Sequence, residues 1–311
     1  MSGRGPGTVL RDILRLEDVP AATIDIIVEA QADILALQDV DFDAGGSTIG
    51  ALRDALAERG LDYPYIVSLR PNSGWPTGVD IDGDGRTDGP RDAHGYGRFN
   101  GEGGMAVLSR HPIREVRDFS DLLWQDLPDA AAAEVSPEAA LPVLRLHSVA
   151  AWDIEVLIDG QPFRVLTSHA SAPVFDGPED RNGLRNADEL RFWHMYLDGE
   201  WTPSGEPFEA EHFAYMGTLN LDPEHGEGRR FALLDLLSHH AVQDPEPQSP
   251  YGAATADWDD PNPGDLRVDY VLPSRSLTVL GSAVIWPEDG PLAEAAAQAT
   301  DHRLVWVDVD F

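Results

Sequence analysis

Acids, amides and histidines stand at the ends of short apolar runs in several places along this sequence. "LALQDVDFD" sets Asp39 just past one such run, with Asp41 and Asp43 beyond it, and "TSHASAP" sets His169 at the end of another. "GTLNLDP" offers Asn220 and Asp222 behind Thr218. "LRVDYVL" holds Asp269 inside an apolar run, and "ATDHRLVWVDV" pairs Asp301 with His302 ahead of the last one. Carboxylates for a divalent cation, an acceptor that orients water and an acid at the leaving oxygen are what hydrolysis of a phosphoester requires. Each residue taken singly also reads as a turn or cap residue, so the weight lies in their order and shared placement.

Two further clusters bear on ions. "DIDGDGRTD" places Asp80, Asp82, Asp84 and Asp88 at relative positions one, three, five and nine, with Gly85 at six for a sharp turn, a spacing of hard oxygens that suits Ca²⁺. Arg91 stands at position twelve, where a bidentate Glu is usual, and Asp92 follows it. The loop is therefore expected to borrow a ligand from elsewhere and to pin its own segment; the competing reading is a solvated acidic turn. Arg181, Asn182, Arg185 and Asn186 follow His169 closely, and such a cluster could cradle a phosphate or simply decorate the next helix.

The elements that must hold these residues can be read from periodicity. Ala21 to Gln31 has helical spacing and feeds the run "DILALQ"; "IGALRDALAERG" is a helix ending at Gly60, and "PYIVSL" is a strand. "GMAVLS", "WDIEVLI", "FRVLTSH", "FAYMG", "RVDYVL", "LTVLGSAVIW" and "RLVWVDV" read as further strands, while "GLRNADELRFWHMYL" and "RRFALLDLLSHH" read as helices. Many mid-length strands with few helices between them predict an α+β fold. Its form is a four-layer α/β-sandwich, two mainly antiparallel sheets packed face to face with outer helices. One domain over 1–311 is expected, with residues 72–104 as an insertion carrying the calcium loop, too long for an idle connection.

Composition narrows the partners. With 55 acidic against 22 basic residues the net charge is −33, which argues against a stable nucleic-acid complex and against anionic membranes unless a cation intervenes. No cysteine is present, so thiolate metal sites and disulfides are excluded. No apolar run reaches the roughly 18 residues of a spanning helix, and "MSGRGPGTVL" lacks the layout of a signal peptide.

Taken in order, these motifs resemble the endonuclease/exonuclease/phosphatase superfamily, and the resemblance runs from about Ala32 to Asp308. "ILALQDV" is similar to its metal-ligand motif, "GGMAVLSRHPI" to the central strand that follows, and "TSHASAP" to the histidine-bearing strand end. "RVDYVL" is similar to the strand whose Asp pairs with a His, and "TDHRLVWVDV" to the terminal "SDH" motif. The resemblance implies in-line attack of water on a phosphodiester or monoester with Mg²⁺ or Mn²⁺. It places Asp39 and Asp301 near that metal, His302 oriented by Asp269 against the phosphate, His169 as the second phosphate-site histidine held by Glu102, and Asn220 as the steadying amide. It points to a secreted bacterial branch, hence an extracellular or periplasmic location, and small or lipid-linked phosphoesters are favoured over duplex DNA.

Three departures stand out. Asp39 replaces a Glu, Thr218 replaces the acid of "GDFN", and the family's first strand, which ends in Asn, has no counterpart, so that a start lying upstream or a gap in the sheet is expected. A hydroxyl at position 218 cannot carry the negative charge of an acid. The sequence thus leaves two readings: a metal-dependent phosphoesterase weakened or inactive through Thr218, or a noncatalytic calcium-stabilised binding protein of the same fold.

Overall fold

The apolar runs become strands, and the amphipathic segments become the helices that cover them. The structure is a computed structural model and describes residues 3–199, 201–203, 205–259 and 262–310. In chain order the elements are α1 (Thr8–Arg15), α2 (Asp18–Ala30), β1 (Ile34–Val40), α3 (Ser47–Glu58), β2 (Tyr65–Val67), β3 (Gly104–Ser109), β4 (Ile113–Asp118), α4 (Ala132–Val135), β5 (Ala151–Ile158) and β6 (Gln161–Ser168). Then follow α5 (Arg181–Asp198), β7 (Phe213–Thr218), α6 (Arg230–Leu237), β8 (Asp269–Pro273), β9 (Thr278–Ile285), α7 (Pro291–Ala299) and β10 (Leu304–Asp310).

One layer is a five-stranded sheet in the order β4-β5-β6-β7-β8, antiparallel except where β6 and β7 run parallel. The facing layer comes in two pieces, β1-β3-β2 and β10-β9, both antiparallel. Val67, Met105 and Val107 from one layer meet Trp152, Ile154 and Val165 from the other in a shared apolar core. Every residue of β3 is buried, which is why "GMAVLS" reads as a continuous apolar run and not an alternating one. Outside, Ile13, Ile24 and Leu52 of α1–α3 pack on the far side of β1 and β3, while Phe192, Trp193 and Leu233 of α5 and α6 pack on the far side of the five-stranded sheet. The order is thus helices, sheet, sheet, helices, as the sequence predicts.

Four elements escape the sequence reading, the single-turn α4 among them. β4, "IREVRD", is mostly charged and lies at a sheet edge, so it lacks an apolar signature. Helix α1 is short, and α7 is an Ala-rich segment that buries only Ala295, Ala296 and Ala299, against Ala22 and Ile26 of α2.

The division of the second layer has a geometric result. Among the described residues β1 and β10 each keep one edge without a sheet neighbour, and both edges line a single cleft of about 530 Å³. Ile26 and Ile27 of α2 wall it on one side, Met216 and Val271 of the five-stranded sheet on the other. Among the described residues no helix is long and apolar enough to cross a membrane.

Candidate functional site

Four side chains converge where strand ends meet at the mouth of this cleft. β6 ends at Ser168, so His169 is the first residue past it; it pairs by a parallel bridge with Thr218, the last residue of β7, through an Ala170 N–H donated to the Thr218 carbonyl at 2.9 Å. Thr218 lies in register with Asp269, the first residue of β8. His302, just before β10, closes the row with Nδ1 at 2.8 Å from Asp269 Oδ2. The tight approach of β6 and β7 requires Gly217, because a Cβ there would stand 2.3 Å from the Ser168 carbonyl oxygen.

Asp269 is the electrostatic centre of the row. Its Oδ1 accepts the Thr218 hydroxyl at 2.6 Å and its Oδ2 accepts the Thr255 hydroxyl at 3.0 Å, in addition to the His302 ring. Burial acts to raise its carboxyl, but the charge of His302 and these hydrogen bonds outweigh burial and hold it below the usual carboxylate value. For His302, burial opposes protonation, yet the Asp269 charge and hydrogen bond, with Asp39 and Asp301 at longer range, lift it above the ordinary histidine value. His169 goes the other way: burial, only partly countered by Asp39, lowers it. The two imidazoles are therefore pushed apart, one toward the charged form and one toward the neutral form, a division that suits distinct acid and base roles.

Asp39 and Asn220 flank the row, and both adopt left-handed backbone, with φ of 57° and 55°. Such conformations are uncommon away from glycine and gather at functional sites. Asp39 sits where the pairing of β1 with β3 shifts register, and it lines the cleft with His169, Asp269 and His302. Asn220 donates its side-chain amide to the Ala170 carbonyl at 2.7 Å, so its oxygen faces elsewhere. Gln38, which the sequence reading passed over, also lines the cleft; its amide nitrogen reaches Thr167 while its Oε1 is buried with no hydrogen-bond partner.

For a hard divalent cation the donor chemistry is partly in place: the Asp39 carboxylate and the orphaned Gln38 oxygen share one cleft. The sets of three or more His, Asp or Glu groups whose ligand atoms converge within 4.8 Å lie elsewhere among the described residues, and neither Asp39 nor Asp301 belongs to one. Asp301 is exposed and acts on His302 only as a charge through space. Asp39 and Asp301 thus share no such three-membered set, and both act on His302 from outside its hydrogen bond with Asp269.

Other expectations meet different partners. Glu102 does not hold His169: it accepts the Arg98 backbone N–H and is ion-paired with the Arg98 guanidinium four residues back. His169 keeps a buried Nδ1 without a partner, and its loop is instead fixed by Glu189, which accepts the N–H groups of Ser148 at 2.7 Å and Ser171 at 2.6 Å. The cluster after His169 serves the backbone. Arg185 is buried and donates to the carbonyls of Leu146, His94 and Arg145; Arg181 donates to Val135 and Ile81, and the Asn182 and Asn186 amides to Val174, Ser171 and Leu219. These donors are taken up by carbonyls that helix α5 covers, and Arg185 is the most completely used. Asp43 accepts the first N–H groups of α3, and Asp222 those of a turn and of Arg267.

In the acidic loop Asp80, Asp82 and Asp92 converge, with Asp92 buried. Asp84 accepts the Arg86 N–H and Asp88 pairs with the Arg86 side chain, and neither belongs to the set, whereas Asp92 joins it from beyond position twelve. Thr255, whose hydroxyl also accepts the N–H groups of Val268 and Asp269, is a further site residue with no local signal.

The sequence matches the profile of the Endonuclease/Exonuclease/phosphatase family over residues 5–302. No curated protein matches it. Among solved structures it is similar to an endonuclease/exonuclease/phosphatase family protein from Leptotrichia buccalis, at 19% identity over 96% of this chain and 94% of that one, with a TM-score of 0.56. It is also similar to a 3′ phosphatase from Neisseria bound to product DNA hairpin, at 17% identity over 96% and 95% with a TM-score of 0.53. A mannosyl-6-phosphatase from Bacteroides thetaiotaomicron gives 13% identity over 100% and 96%, with a TM-score of 0.54. These likenesses speak to the fold, and with the profile match they allow one conclusion: the chain belongs to the endonuclease/exonuclease/phosphatase family.

Proposed function

We propose that this chain is a divalent-metal-dependent phosphoesterase whose turnover is attenuated by Thr218. The observation that carries the reading is the row His169, Thr218, Asp269 and His302 beside Asp39, with His302 bonded to Asp269 and the two imidazoles shifted in opposite directions. Bound Mg²⁺ or Mn²⁺, taken by Asp39 with Gln38 beside it, supplies charge neutralisation for the phosphate. His302, oriented by Asp269, donates to a phosphoryl oxygen and stabilises the charge that develops there. His169, kept neutral, accepts or relays a proton at the leaving or attacking oxygen, and Asn220 offers its free amide oxygen at the rim. The substrate class is a small or lipid-linked phosphoester before duplex DNA, given the net charge of −33.

Thr218 favours a second reading: it satisfies Asp269 as a neutral donor where an acid would carry charge, as in a noncatalytic protein of the same fold. The acidic loop, with Asp80, Asp82 and Asp92, is proposed as a structural Ca²⁺ site, at home in an extracellular or periplasmic setting where weak sites fill. Residues 1–311 are read as one domain whose second layer, among the described residues, is one strand short of the family pattern. The cleft between β1 and β10 supports that reading. The test is hydrolysis of bis(p-nitrophenyl) phosphate with Mg²⁺ or Mn²⁺ by the chain and its Thr218→Asp variant, with His302→Ala as background. A Thr218→Asp variant no faster than that background rules out the enzyme.

A further inference from the structure

Arginines in so acidic a chain are expected to be paired, and most near this surface are, as Arg98 with Glu102 and Arg117 with Glu115 illustrate. Arg70 and Arg145 are different. Both rest on one indole, with guanidinium carbons 3.5 Å and 4.4 Å from the centre of the Trp75 ring, and neither has a carboxylate at ion-pair distance among the described residues. Their side-chain acceptors are neutral amides: Arg70 Nε donates to Asn100 at 3.2 Å and an Arg145 terminal nitrogen to Asn72 at 2.8 Å. Asp118 and Asp121 act on Arg145 only through space.

Two like charges gathered on one ring repel, and the ring faces offset only part of that. His94 packs edge-on against Trp75 at 5.8 Å with its Nδ1 buried and unpartnered. The pair thus gathers two guanidinium groups on one ring, with Asp118 and Asp121 as the nearby countercharges of Arg145 and, among the described residues, no carboxylate bonded to either arginine, which leaves guanidinium N–H groups for an anion.

Its place relative to the row is fixed by the backbone. The Asn72 N–H bonds the Val149 carbonyl at 2.8 Å, and Gly95 lies so tightly on Ser148 that a Cβ would stand 1.7 Å from the Ser148 carbonyl oxygen. Ser148 Oγ in turn donates to the His169 carbonyl at 3.3 Å. The segment Ser148–Val149 thus ties the backbone of the Trp75 loop, at Asn72 and Gly95, to the backbone at His169.

We propose that Arg70 and Arg145, held on Trp75, form a second phosphate subsite, so that the preferred substrate carries a second phosphate beside the one hydrolysed. This rests on the phosphoesterase reading for the scissile position but not for the binding of the second group. Arginine is suited to it, because its planar fork matches two phosphate oxygens at once.

The test is calorimetric binding of two ligand pairs to the intact chain in Mg²⁺: fructose 1,6-bisphosphate against fructose 6-phosphate, and a dinucleotide with a 5′-phosphate against the mononucleotide. The bisphosphorylated member of at least one pair is expected to bind roughly tenfold to a hundredfold tighter, and whichever pair shows this names the source. Arg70→Gln combined with Arg145→Gln should erase the preference and leave the monophosphate affinity unchanged. Arg70→Gln alone, at an exposed position, should reduce it if the double variant does not fold. No preference in either pair, or a preference that survives in the variants, overturns the subsite. A preference that persists while Thr218→Asp remains without activity keeps the subsite and removes the phosphoesterase.

Discussion

Replacing Thr218 by Asp puts the physical account of the row to its sharpest trial. The Thr218 hydroxyl lies 2.6 Å from Asp269 Oδ1, so a carboxylate at position 218 must approach Asp269 at hydrogen-bond distance. Two unit charges with centres about 4 Å apart repel by about 4 kcal/mol at an effective dielectric constant of about 20. The variant also loses the hydroxyl donor that the parent offers Asp269. For a chain of this size the melting temperature moves by about 2 °C per kcal/mol, so the metal-free variant should melt roughly 8 °C below the parent at neutral pH. The sign with pH follows from the same pair. Repulsion raises its folded-state affinity for a proton, so the deficit shrinks as the pH falls into the carboxylate range and returns as the pH rises. Mg²⁺ or Mn²⁺ should restore much of the loss in the variant and much less in the parent. Activity should rise by about 10² to 10⁴-fold, the usual worth of a general base. Scanning calorimetry across pH with and without metal, alongside the phosphodiester assay, reads all three. A variant that melts with the parent in the absence of metal, and gains nothing when metal is added, refutes the charge placement on which the reasoning depends.

The remaining predictions probe the surroundings. Asp269→Asn removes the partner that raises His302 and is itself held low. The His302 share of stability is full below about pH 6.5 and lost as pH rises through its higher folded value, while the Asp269 share is lost as pH falls below about 3.9. The gap in melting temperature between parent and variant should therefore be widest between these limits, and a gap that does not vary with pH contradicts the pairing. Chelation of Ca²⁺ should lower the melting temperature, since saturation at a hundredfold over Kd is worth about 2.7 kcal/mol. Asp82→Ala and Asp92→Ala should each lose that response, and an unaltered melt on chelation removes the site. Arg164 lies buried in the five-stranded sheet, bonded to Asp153 at 2.5 Å and to Glu155 at 3.2 Å. Arg164→Met takes the guanidinium from buried Asp153, which keeps only the Tyr196 hydroxyl, while Glu155 keeps Arg114, so urea unfolding should show a loss of about 3 to 5 kcal/mol; a loss below about 1 kcal/mol means that Asp153 does not depend on Arg164.

Strand positions were legible because each core strand is buried on at least one face and its apolar run is continuous or nearly so. "GMAVLS" and "FAYMG" coincide with β3 and β7 to within a residue. The row of His169, Thr218, Asp269 and His302 was legible for a related reason: neighbouring strands end at one level, so residues far apart in sequence share a rim. What hid was everything decided by side-chain direction. Arg185 and its neighbours looked like a phosphate cradle, but a buried helix face that satisfies carbonyls has the same composition as an exposed one that binds anions. Thr255 and Gln38 gave no signal because their partners, Asp269 and Thr167, are fixed only by tertiary packing. Arg164 sits inside an apolar strand, and its acids on β5 lie 9 and 11 residues back, opposed to it only through the register of the β5–β6 pair.

The cleft between β1 and β10 has a consequence for how firmly the site is built. Asp39 stands on β1 and His302 on the approach to β10, and no ladder of backbone bonds ties those two strands to each other among the described residues. Their spacing is set by packing on α2 and on the five-stranded sheet, and on the His302 side by the bond to Asp269 and the bridge to Ala256. Amides on the two open edges should therefore exchange with solvent deuterium well before those of β3, β5 and β6. The slow-exchanging half of the row, His169 to Asp269, is a rigid wall, and the fast-exchanging flanks set how often Asp39 and His302 stand at the same phosphate together.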